Sequence, residues 1–290
     1  MAAEQNLITA ADLARAREIE FTYRFNEGIN SLMKALGTTR KIAKRSGTLL
    51  KAYKATGTLE DGNVAEGDII PLSKYKTEPA SFEEITIQKW RKATSIEAIS
   101  EHGFDQAVVM TMDAMLKDVQ KGVRTKFFDA LAKGTGKAAG TTFQSTLANA
   151  WGQLQVLYED VDFSAVYFMN PLDVADYLGT AQITMQNAFG MTYIENFLGL
   201  GNVILTKSVP QGTIYATAQD NIILYFVDAR DDDIAEAFSF TTDVTGLIGI
   251  HESSDYTNLT SSDTVISGVV LWAERIDGVV VGTIGAGTGA

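Results

Sequence analysis

The stretch FDQAVVMTMDAMLKDVQKGVRTKFFDALA, Phe104 to Ala132, decides how the rest of the chain is read. Phe104, Val108, Met112, Met115, Val119, Val123, Phe127 and Leu131 recur at spacings of three and four, one stripe of an amphipathic helix. Lys117, Asp118, Lys121 and Arg124 fall mostly off that stripe. At ~1.5 Å per residue the helix is about 43 Å long, a spine for the molecule rather than an ordinary helix of about 11–12 residues. Gly134 is placed to end it in a left-handed conformation. Gly122 inside it costs about 1 kcal/mol against Ala and reads as a tolerated glycine.

Before the spine, Gly47 to Ile96 is charged and strand-rich, with too little apolar periodicity for a core of its own. Thr48–Lys54 reads as a strand, and Thr56–Asp68, rich in Gly, Asp, Glu and Asn, as an exposed tip. Ile69–Leu72 and Phe82–Trp90 read as returning strands, the second from the alternation Glu84-Ile85-Thr86-Ile87-Gln88-Lys89-Trp90. Such a two-stranded protrusion is marginal alone and needs a partner surface. Further upstream, Thr9–Leu36 reads as a helix from Leu13, Ala16, Ile19, Tyr23, Ile29, Leu32 and Leu36. Thr9 or Asp12 is its cap, Gly28 a candidate interruption and Gly37 its stop, and Thr38–Arg45 follows as a basic connector.

After the spine the pattern changes. Ser145–Val161 reads as a helix through Leu147, Trp151, Leu154 and Leu157, and Ala165–Met169 as a buried strand. Asn170 and Pro171 start a helix that Gly179 ends. Strands are expected at Val203–Leu205, Thr213–Ala216, Ile222–Val227, Leu247–His251, Val265–Glu274 and Val279–Ile284. Asp277-Gly278 signals a hairpin between the last two.

Composition narrows the function. The net charge of −12 is unevenly spread. Residues 1–54 hold ten Lys/Arg against five Asp/Glu, whereas residues 151–290 hold only Lys207, Arg230 and Arg275 against eighteen acids. An acidic body disfavours broad nucleic-acid binding, and a basic arm favours contact with a neighbouring copy. Simple solubility from net charge is the plainer reading. No apolar run approaches the ~20 residues of a membrane span, and no secretion signal is recognised at Met1–Asn6. With no cysteine there is no disulfide, thiolate metal site or cysteine nucleophile.

No catalytic constellation emerges. Lys133-Gly134-Thr135-Gly136-Lys137-Ala138 resembles a phosphate loop, but Leu131 stands at the first-glycine position and Ala138 at the Ser/Thr position. A helix stop with a flexible linker is the better reading. His251, near Ser253 and Asp255, lacks the convergence of a triad, and His102 is remote from it in sequence. Asp228, Asp231, Asp232 and Asp233 could hold a divalent cation, yet they lack the glycine and distal Glu of a calcium loop and read as a solvated acidic turn. The expectation is therefore a non-enzyme with neither cofactor nor metal.

The order of elements resembles that of tailed-bacteriophage major capsid proteins of the Hong Kong 97 type. Lys121–Phe128 leading to Gly134-Thr135-Gly136 is similar to the end of that family's spine, and Tyr167–Pro171 to its early apical strand and helix start. Gly201–Leu205 followed by Val209–Thr213 resembles a further apical pattern. The resemblance implies an α+β fold: an N-terminal arm at 1–47, an extended loop at 48–92, a peripheral domain with the spine helix at 93–139 and 239–290, and an apical domain at 140–238. It implies a structural protein whose pentamers and hexamers form an icosahedral virion capsid around non-specifically held double-stranded DNA. Assembly would take place in the host bacterial cytoplasm. A portal protein, a separate scaffolding protein (or a modest scaffolding role for the helical arm) and a decoration protein are the implied partners, with no membrane. An encapsulin-like cellular shell shares the fold and is the nearest alternative; a tail-tube or other virion protein and a nucleotide-dependent enzyme are weaker ones. Assembly contacts are expected from Lys51, Lys54, Leu59, Glu60, Asp61, Glu66 and Asp68. No inter-subunit crosslink is expected, since Thr56–Asp68 contains no Lys.

Overall fold

The computed structural model describes residues 10–64, 67, 69–159, 162–180 and 184–285. In chain order, α1 (Ala10–Leu36) leads to β1 (Lys41–Ala43), β2 (Leu49–Thr58), β3 (Lys74–Glu84), β4 (Gln88–Ser95) and α2 (Ile96–His102). The spine α3 (Met110–Leu131) follows a π-turn at Asp105–Val109. Next come β5 (Gly136–Gly140), α4 (Phe143–Leu157), β6 (Ala165–Met169), α5 (Pro171–Thr180), β7 (Gln186–Ala188), β8 (Met191–Phe197), β9 (Gly201–Leu205), β10 (Thr213–Ala218) and β11 (Ile222–Phe226). The chain closes with α6 (Asp232–Ala237), β12 (Thr241–Thr242), β13 (Ile248–Asp255), β14 (Thr260–Ser267), β15 (Val270–Ala273) and β16 (Val279–Ile284).

The spine is helical from Phe104 to Leu131, as its stripe requires. Val108, Met112, Val119, Val123, Phe127 and Leu131 are buried, joined by Leu116 and Phe128. Phe104 is not: the π-turn adds a residue to the repeat and rotates the first turn off the buried face. Gly134 does not adopt the left-handed conformation expected of it. It is needed for closeness, because a Cβ there would lie 2.7 Å from the Val279 carbonyl oxygen. Gly122 has open space around its missing Cβ, so Gly122→Ala is expected to stabilise the unassembled subunit by about 0.5–1 kcal/mol in denaturant titration. A destabilised variant would mean that the backbone at Gly122 is held in a way that these neighbours do not reveal.

The first helix matches its expected span, with corrections to its faces. Phe21, Phe25, Ile29, Leu32, Met33 and Leu36 are buried, while Ile19 and Tyr23 of the expected stripe are exposed. The two phenylalanines supply more apolar area and win the inward side. Gly28 does not interrupt the helix. Gly37 ends it at φ +73°. Asp12 lies inside the helix and Thr9 outside the described residues. Part of the basic connector pairs in parallel with β11, Lys41 opposite Leu224.

A seven-stranded sheet, order β5-β16-β10-β6-β9-β8-β7, holds the centre. Every residue of β6 is buried because both faces are covered. Val166 and Phe168 face the core shared with α1 and the spine, where Phe168 meets Phe127 and Phe128 edge-on. Ala165, Tyr167 and Met169 face the core under α4 and α5. Thr142 and Ser145 form a capping box at the start of α4, which runs Phe143–Leu157 where Ser145–Val161 was expected. The Asn170 side chain accepts from the Leu172 N–H as expected, but α5 continues one residue past Gly179.

Five local expectations fail. Lys133–Ala138 is no flexible linker: it leads into β5, which pairs in parallel with β16. Ile69–Leu72 is not a strand, and the return strand starts at Lys74. Phe82–Trp90 and Val265–Glu274 each divide between two sheets, at Ile85–Ile87 and Gly268-Val269. Asp277-Gly278 makes a turn but no hairpin, since β15 lies beside β11 while β16 lies beside β10. That turn is fixed by Asn221, which donates to the Arg275 carbonyl and accepts from its N–H, and by Thr217, which donates to the Gly278 carbonyl.

Candidate assembly surfaces

Strands β2 and β3 form a two-stranded ribbon that, among the described residues, hydrogen-bonds to no other sheet. Its register runs from Leu49 opposite Glu84 to Thr58 opposite Lys74, with an irregularity at Ala52/Tyr53. Ten residues of strand carry the ribbon roughly 30 Å from its base. The base is anchored: Leu50 and Ile85 are buried with Val227 and Trp272. The Gly47 N–H donates to the Ile85 carbonyl at 2.8 Å, and the Ile85 N–H to that of Thr48 at 3.0 Å. Gly57 is required by its cross-strand partner, since the Tyr75 ring lies 2.2 Å from where a Cβ would be. Strand β4, part of the expected protrusion, instead pairs with β14 in the four-stranded sheet β12-β13-β14-β4.

The ribbon tip presents two kinds of side chain. Leu59, Ile69, Ile70 and Leu72 are 76%, 94%, 73% and 93% exposed. Glu60 and Asp61 beside them are exposed as well. The tip is shaped by local bonds: the Glu60 N–H donates to Ser73 Oγ at 3.1 Å, and the Asn63 N–H to Asp61 Oδ1 at 2.9 Å. Of the expected contact residues, Leu59, Glu60 and Asp61 share this tip, and Lys51 is exposed lower on the ribbon. The Lys54 side chain, Glu66 and Asp68 lie outside the described residues. Ile69, Ile70 and Leu72 were missed because an apolar run reads as a buried strand. Pro71 within the run was the available signal, since proline demotes a central strand.

A second apolar surface lies where α1 meets the start of the spine. Ile19, Tyr23, Val109 and Met110 are exposed, and Phe104 is partly covered by the Arg17 guanidinium 4.5 Å from its ring centre. Between the two helices is a cavity of about 130 Å³ lined by Arg17, Phe21, Arg24, Val108, Met112 and Asp113. Helix α2 buries none of its residues.

The acidic turn has structural uses. Asp228 receives a forked pair of bonds from Arg230 at 3.0 and 2.8 Å. This hydrogen bonding holds the Asp228 carboxyl below its usual range and raises the Arg230 guanidinium. Asp231 caps α6 by accepting from the Asp233 N–H. His251 packs edge-on against Phe240, and His102 is exposed beside Glu101.

No protein-family model and no curated protein sequence matches the chain. Solved structures do. The capsid of cyanophage A-1(L) superposes with a TM-score of 0.58 at 13% identity, over 88% of this chain and 93% of that one. The virus-like particle from Pyrococcus furiosus gives 0.52 at 13% identity, over 90% and 97%. The encapsulin of Synechococcus elongatus PCC 7942 gives 0.53 at 9% identity, over 87% and 86%. With its long spine, projecting ribbon and central seven-stranded sheet, the chain has the Hong Kong 97-type capsid fold.

Proposed function

We propose that this chain is a structural subunit that assembles, in many copies, into a closed icosahedral shell. The carrying observation is the apolar ribbon tip on this fold. Four large apolar side chains held in water at the end of a two-stranded ribbon are explained by burial against another copy. Residues 49–84 are assigned as the extended loop, residues 1–47 as the arm, and β4, β12, β13 and β14 as the sheet of the peripheral domain. The apical domain is assigned to 140–238, with β5 and β16 completing its sheet. Repeating one modest contact around a closed shell makes the whole stable through multivalency.

The specific reading is a bacteriophage head enclosing double-stranded DNA, assembled in a bacterial cytoplasm with a portal and, where needed, scaffolding and decoration proteins. The acidic C-terminal half fits a wall that does not bind packaged DNA tightly. The likeness to a cellular encapsulin keeps a cargo-holding shell as the second reading. Electron microscopy of the expressed protein, with and without a scaffolding partner, tests both. Closed shells of uniform size are expected. A subunit that stays monomeric under all assembly conditions would refute the proposal, and particles filled with one protein cargo would favour the second reading.

A further inference from the structure

The chain sorts its charge along the ribbon. Residues 55–73 hold four acids, Glu60, Asp61, Glu66 and Asp68, and no base. Residues 28–54, which lead into the ribbon and up its first strand, hold seven bases and no acid. At the foot of the ribbon Lys44, Arg45 and Lys51 are exposed. Leu49 and Lys51 share one face of β2, and Lys51 stands opposite Phe82 of β3. Leu49 and Phe82 are half-exposed, and Phe82 lines a small cleft with Lys133, Trp272 and Ile276. Lys44, Lys51 and Lys133 have no ion-pair partner among the described residues. Arg45 reaches Asp233 at 3.8 Å with both side chains in water, a contact of little strength. Glu84, opposite Leu49, is an acid on the same face.

Other surfaces offer the tip less. Where α1 meets the spine, apolar side chains are exposed, but Arg17 and Arg24 are already paired with Glu252 and Asp113, and Glu20 stands beside them. From Met110 to Leu131 the spine exposes no large apolar side chain after Met110 itself, so Lys117, Lys121 and Lys126 present charge alone. The apolar side chains exposed beyond residue 150 stand in the acidic half, where Arg230 and Arg275 are paired with Asp228 and Asp277. Apolar surface beside unpaired bases is found at the foot.

We infer that the ribbon tip of one copy docks on the foot of a second copy's ribbon. Leu59, Ile69, Ile70 and Leu72 cover Leu49 and Phe82, and the tip acids lie among Lys44, Arg45, Lys51 and Lys133. The docking rests on the reading of the tip as an assembly surface and names what covers it. A tip cannot reach its own foot, because the ladder from Leu49–Glu84 to Thr58–Lys74 holds the two roughly 30 Å apart. The contact joins unlike surfaces, so it repeats head to tail and closes into a ring where its rotation allows. Opposite charge sets which surface the tip meets, and the apolar area supplies most of the strength.

Sedimentation velocity of three variants of the whole chain tests this. Glu60→Lys/Asp61→Lys and Lys44→Glu/Arg45→Glu/Lys51→Glu should each need at least about tenfold more protein than wild type to form particles, because like charges then meet at every contact. The chain carrying all five changes has opposite charges again and should regain most of that loss. Assembly that withstands either reversal, or that is not regained in the five-fold variant, would overturn the docking. A crosslink reads the contact directly, whatever the reversals do to folding, since the chain has no cysteine of its own. Glu60→Cys/Lys51→Cys treated with a short bismaleimide should give a ladder longer than dimers on a denaturing gel. Absence of that ladder, or its appearance with Glu60→Cys/Tyr23→Cys instead, overturns the docking. A wild-type chain that never assembles refutes the shell and the docking together, whereas shells indifferent to the reversals refute the docking alone.

Discussion

Lys92→Met is expected to lower the unfolding free energy of the unassembled subunit by about 3–5 kcal/mol at neutral pH, the usual cost of stranding one member of a buried ion pair. The ammonium spends its three N–H groups on Asp263, the Val108 carbonyl and Thr111. Its removal leaves Asp263 buried with no cation, and it takes a donor from a carbonyl within the spine's π-turn. The double variant Lys92→Met/Asp263→Leu should recover most of the stability, because a buried pair contributes little net free energy over apolar side chains of similar size. Urea titration reads both effects. A loss below about 1 kcal/mol in the single variant would mean that water reaches the pair.

Replacing Ile69, Ile70 and Leu72 together by Ser is expected to abolish shell formation while leaving the subunit's own unfolding unchanged. These side chains touch little of their own subunit, so folding loses nothing by the change. Each contributes about 1.5–3 kcal/mol when fully buried against a neighbour. Even about 4 kcal/mol lost per ribbon corresponds to about a thousandfold weaker contact, repeated at every copy. Sedimentation velocity should show only small species at concentrations where the wild-type protein forms particles. Normal particles from the triple variant would remove the ribbon tip from the assembly mechanism.

What the sequence reveals about this fold follows the range of the interactions. The spine was legible because its burial pattern repeats every three or four residues for most of its length, the strand Ala165–Met169 because it is a short unbroken apolar run, and Val279–Ile284 because it opens on three successive valines. The π-turn was not, since nothing in Asp105–Val109 breaks helical composition; its stabilising contact comes from Lys92, on another element. The row Glu252–Asp263–Lys92 depends on the register of three strands drawn from distant parts of the chain, so each residue alone reads as an ordinary surface charge. At the ribbon tip Leu59 and the acids were found in the sequence, and Ile69, Ile70 and Leu72 were not. An apolar run buried by its own core and one awaiting a neighbour look alike in sequence, and only Pro71 distinguishes Ile69–Leu72. The likeness between Gly134–Lys137 and a phosphate loop fails on spacing, but the segment's pairing with β16 was not legible, because it lies in contacts more than a hundred residues away.

The most direct test is a cryo-electron microscopy map of the particles formed by the wild-type chain. It should show a closed icosahedral shell in which the ribbon of residues 49–84 leaves its own subunit and lies on an adjacent one, with Leu59, Ile69, Ile70 and Leu72 covered by that neighbour. A chain that yields no particle, or a shell in which the four tip side chains remain in solvent, would contradict the account.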